Sequence, residues 1–77
     1  MPHRKSKNMF GLMARRETLL GMRDRLEHSI ADEHRRPLPD LSRLSKLKRL
    51  KLRAKDEAAS IEAVLRTLGH GHQQRAS

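Results

Sequence analysis

Apolar residues in the first half of the chain fall at Leu12, Leu19, Met22, Leu26 and Ile30. Steps of seven, three, four and four keep them on one side of a 3.6-residue period, which predicts a helix from about Met9 to Glu33. Met9, Met13 and Leu20 widen that face. Gly11 and Gly21 weaken the helix, each by ~1 kcal/mol relative to alanine. In the second half, Leu44, Leu47, Leu50, Ala54, Ala58, Ile61, Leu65 and Leu68 step by three, three, four, four, three, four and three. This heptad-like stripe predicts a second helix from Leu41 to about Leu68, with Gly69 as its stop. Residues 1–7 and 69–77 show no periodicity and are expected to be a flexible basic N-terminus and a disordered tail.

Between the helices lies HRRPLPD, residues 34–40. Pro37 and Pro39 each lack an amide donor and disfavour helix in the residue before them. Asp40 is placed to cap the next helix through its carboxylate. No segment has the alternation of a strand. The expected fold is therefore all-α, an antiparallel two-helix hairpin with coiled-coil character over residues 8–68.

Composition adds a constraint. In 77 residues, hydrophobic and charged side chains each make up 35%, Phe10 is the one aromatic and there is no cysteine. Two helices cannot surround a core, and no disulfide or thiolate metal site can staple this one. Assembly into a dimeric four-helix bundle is the expected remedy. Its interface is assigned to Leu19, Met22, Leu26, Ile30, Leu44, Leu47, Leu50, Leu52, Ala54, Ala58, Ile61 and Leu65. Leu52 stands apart from the main stripe, on the charged side, and reads as a second contact to a neighbouring hairpin or a docking point for a partner helix.

The net charge of +9 is uneven, +3 over residues 1–40 and +6 over residues 41–77. Seven bases lie between Arg43 and Lys55. A facing register in which paired residue numbers sum to about 75 sets Asp32 and Glu33 near Arg43 and Lys46, Asp24 and Glu27 near Lys48 and Lys51, and Arg15 and Arg16 near Glu57 and Glu62. On that reading the charges flank a helix pair and set its register. Bases nonetheless outnumber acids, so a polyanion is the sharper expectation, with DNA or RNA held by non-specific backbone contacts. The candidate contacts are Arg35, Arg36, Arg43, Lys46, Lys48, Arg49, Lys51, Arg53 and Lys55. One aromatic gives little stacking surface for reading single-stranded bases. A protein partner, with the chain as adaptor or scaffold, is the alternative.

Other chemistry finds little support. His70 and His72 form a weak metal motif without a placed acid. Pro2 lacks the amide that a copper site at His3 would use. Neither a phosphate-binding glycine loop nor a nucleophile–base–acid set is present, so no enzyme activity, cofactor or metal is expected. No apolar run approaches the ~20 residues that cross a bilayer, and the basic start lacks the apolar core of a secretory signal. A membrane partner is not expected, and the expected setting is the cytoplasm.

The stretch PLPDLSRLSKLKRLKLRAKDEA carries a Pro-x-Pro-Asp turn and then a leucine-and-lysine run ending in Lys-Leu-x-x-Lys-Asp-Glu. At Pro37, Pro39, Asp40, Leu44, Leu47, Lys48, Lys51, Leu52, Lys55, Asp56 and Glu57 it resembles the YdcH-like family of small bacterial proteins. The resemblance implies a helical hairpin with coiled-coil character and no particular activity. Ala54 and Ala58 stand where that family tends to carry larger aliphatics. Small residues there let helices approach closely or leave a looser centre.

Overall fold

The computed structural model describes the backbone of residues 9–76 and the side chains of residues 9–69. The basic N-terminus expected at residues 1–7 lies outside the described residues, as do the side chains of His70 and His72. Two helices make up the fold, α1 (Met9–Arg35) and α2 (Leu41–Ala76), and they pack against each other as a hairpin. Among the described residues there is no strand.

The connection is built as its residue types require. The Arg36 amide donates to the Glu33 carbonyl at 3.2 Å and closes the last turn of α1. Pro37 then keeps Arg36 out of helical geometry. Asp40 caps α2: its Oδ1 accepts the amides of Ser42 and Arg43, both at 3.1 Å. The Leu44 amide donates to the Asp40 carbonyl at 3.0 Å and begins the helical ladder. α1 runs two residues beyond the expected Glu33, where His34 and Arg35 place positive charge at the negative end of its dipole.

The seam is more regular than the hydropathy pattern. On α2 the seam is lined by Leu44, Leu47, Lys51, Ala54, Ala58, Ile61 and Leu65, with Glu62 half-buried beside Ile61. The seam steps alternate three and four without a break, which keeps one side of a helix on its partner. Leu50, expected in this stripe, is 42% exposed, and Leu68 is 46% exposed. Lys51 takes the place given to Leu50. Its stem lies along the seam and its Nζ reaches Glu27 Oε2 at 3.5 Å.

On α1 the matching positions are Leu12, Arg16, Leu19, Arg23, Leu26, Ile30 and Glu33. Met22, expected on this face, is 38% exposed, with Arg23 nearer the seam. Leu19, Ala54, Ala58 and Ile61 form the centre, with Leu12, Leu20 and Leu65 packed around it. The two alanines are the most buried residues of that centre.

α2 continues through Gly69 to Ala76, past the stop expected there. A lone glycine lowers helix propensity and does not by itself end a helix. A Cβ at this position would meet nothing within 4 Å, so no packing demand explains the glycine.

Candidate nucleic-acid interface

Charge is divided between the two rods. α1 carries five bases and five acids, whereas residues 41–69 of α2 carry eight bases and three acids. The excess positive charge of the hairpin therefore resides on α2.

Four of the nine candidate contact residues are engaged with acids. Arg35 binds Asp32 at 2.8 Å, Arg36 and Arg43 each reach Glu33 at 3.3 Å, and Lys51 meets Glu27. The other five, Lys46, Lys48, Arg49, Arg53 and Lys55, are exposed and form no ion pair among the described residues. The expected cross-helix register holds at both ends of the hairpin and between them, where Lys51 meets Glu27. Arg15 meets Glu57 at 2.6 Å, Arg16 meets Glu62 at 3.7 Å, and Glu33 meets Arg43. Asp24, expected near Lys48 or Lys51, instead accepts from its neighbour Arg23 at 2.9 Å.

The pattern sets Glu33 near Arg43 but does not mark it as buried or as an acceptor for the turn. Only 4% exposed, it is the buried charged residue of the described hairpin. Its Oε2 accepts the Asp40 amide at 3.0 Å, and Arg36 Nη1 donates to both of its oxygens. The Asp40 amide first, then Arg36 and Arg43, hold this carboxyl below the usual range, against burial, which pushes it up. A sequence signal did exist. A capping box needs Glu or Gln three residues after the cap to take the cap's own amide, and Arg43 stands there. The amide at Asp40 therefore had to find its acceptor elsewhere, and α1 supplies it.

Of the residues assigned to an oligomer interface, Leu19, Leu44, Leu47, Ala54, Ala58 and Ile61 are buried within one hairpin, and Leu26, Ile30 and Leu65 are half-buried there. Met22, Leu50 and Leu52 remain exposed. Met22 and Leu50 lie one heptad inward from the Arg15–Glu57 contact, and one heptad further come Ser29 and Arg43, which line the same shallow surface depression. Met22 and Leu50 thus share one flank of the hairpin. Leu52, 54% exposed, lies on the back of α2.

Among the described residues no group of His, Asp or Glu is placed to hold a metal ion, and no helix is long and apolar enough to cross a membrane. No protein-family model, curated protein or solved structure matches the chain.

Proposed function

We propose that this chain is a small non-catalytic hairpin that self-associates and binds a polyanion, nucleic acid, through contacts to the phosphate backbone. The supporting observation is the group of five exposed bases between Lys46 and Lys55 on α2, without acidic partners among the described residues, beside an α1 whose charges balance. A polyanion supplies the neutralisation that the hairpin itself does not. Self-association is supported by the thin core: among the described residues no side chain is completely buried, and Met22 and Leu50 expose apolar surface on one flank. A second copy set against that flank would cover both and give a four-helix arrangement. Likeness to the YdcH-like hairpins and a cytoplasmic setting belong to the same reading.

A mobility shift with duplex DNA and duplex RNA across a salt series tests the binding. With about four phosphates neutralised per hairpin, log affinity falls with log salt with a slope near −3.6. No shift at low salt would end the nucleic-acid reading. The adaptor reading draws on Leu41 and Leu52, 76% and 54% exposed on α2, which could seat a partner protein helix.

A further inference from the structure

Of the six bases on α2 without an ion pair among the described residues, Arg66 lies apart and the other five form a pattern. Lys46 and Lys48 are two residues apart, as are Arg53 and Lys55, and the second pair follows the first by seven residues. On an α-helix a two-residue step turns a side chain by roughly 200°, so each pair reaches to opposite sides of the rod. Seven residues are nearly two turns, so the second pair repeats the first about 10.5 Å further along. Between these two basic rims runs the back of α2, at Ser45, Arg49 and Leu52, directly opposite the seam residues Leu47, Lys51 and Ala54. α1 lies on the seam side and leaves this back uncovered.

The geometry points to the major groove of B-form DNA as the occupant of this surface, an inference that rests on the nucleic-acid reading and narrows it. An α-helix with its side chains is ~10–12 Å across, and that groove is about 12 Å wide. Lys46 and Arg53 would meet the phosphates of one strand, and Lys48 and Lys55 those of the other. Arg49 then faces the acceptor edges on the groove floor, and Leu52 faces thymine methyl groups.

The next residue along the back is Asp56, an acid that limits the footprint to about residues 42–55, roughly 20 Å of helix. Duplex RNA fits poorly, because its major groove is deep and narrow. Single strands fit poorly too, since they are held largely by aromatic stacking and Phe10 lies on α1.

The experiment uses the full chain and four probes: a mixed-sequence duplex DNA, the matching duplex RNA, one DNA strand alone and inorganic polyphosphate. Duplex DNA is expected to bind about tenfold tighter than duplex RNA at equal salt. Saturating protein is expected to protect guanine N7, which opens into the major groove, from dimethyl sulfate. Leu52→Glu is expected to weaken duplex DNA binding about tenfold or more while leaving helix content and sedimentation unchanged. Equal affinity for all four probes, or full N7 methylation in the bound duplex, overturns the groove assignment and leaves the polyanion reading standing. Binding to none of them overturns both. A change in sedimentation on Leu52→Glu would show instead that the back of α2 is covered by a second copy.

Discussion

The Glu33 carboxylate accepts the backbone amide of Asp40 at 3.0 Å, so the end of one helix completes the cap of the next. The Asp40 side chain takes the amides of Ser42 and Arg43, and Glu33 takes the amide that Asp40 cannot reach itself. The turn is thereby held by two carboxylates in sequence, each receiving donors that burial or helix geometry would otherwise leave unmatched.

A pH dependence follows from Glu33. Its folded-state pKa lies below the unfolded value near 4.5. Its contribution is therefore present above that value and is lost as pH falls through the lower folded value. Thermal melts of wild type and Glu33→Gln should differ most at pH 7, with the wild type more stable, and converge as pH falls well below 4.5. Equal melting temperatures at pH 7 would contradict the role given to this carboxylate.

Asp40→Ala removes the acceptor for two amides at the start of α2. The expected cost is about 1 kcal/mol, and Asp40→Asn or Asp40→Ser should restore most of it, read from urea midpoints. If Asp40→Ala leaves the midpoint unmoved, the cap contributes nothing measurable.

The seam separates two leucines that hydropathy treats alike. Leu47→Ala should cost about 2–5 kcal/mol, because it opens a cavity between α1 and α2. Leu50→Glu should leave the dilute hairpin within about 0.5 kcal/mol, since the side chain is exposed there. If Leu50 is covered by a second copy, the same change should lower the sedimentation coefficient at high concentration. An effect of Leu50→Glu on the dilute melt as large as that of Leu47→Ala would reverse the assignment of the seam.

Arg16 sits at a seam position between Leu12 and Leu19, and its Nε is buried with no hydrogen-bond partner. Its guanidinium touches Glu17 at 3.3 Å and Glu62 at 3.7 Å, pairs worth roughly 0.2–1 kcal/mol at a partly exposed site. An unmatched buried donor costs about 1–3 kcal/mol. Arg16→Met should therefore raise the melting temperature, while Arg15→Met, at the exposed Arg15–Glu57 contact, should change it little. A lower melting temperature for Arg16→Met would mean that its ion pairs outweigh the unmatched Nε.

What could be read from the chain alone was whatever depends on neighbours in sequence. Pro37 and Pro39 mark the turn through backbone restrictions that hold in any context, and Asp40 caps within three residues of itself. The ion pairs at the two ends of the hairpin followed once the turn set the register. The choice between Leu50 and Lys51 was not legible, because it depends on the opposite helix. Glu27 stands where it can receive an ammonium, and an unbroken heptad admits a lysine stem where hydropathy alone favours leucine. Glu33 was hidden for a similar reason, its acceptor role being fixed by an amide seven residues away. The candidate bases were all visible as charges. Their division into paired and unpaired sets required the fold.

If the hairpin binds a polyanion as proposed, the balance of charge on α1 has a collective consequence. A polymer sheathed by hairpins lying on their α2 sides would turn electrically quiet rods outward. Segments coated in this way would no longer repel one another, and a long anionic chain could then be drawn together by the same protein that covers it.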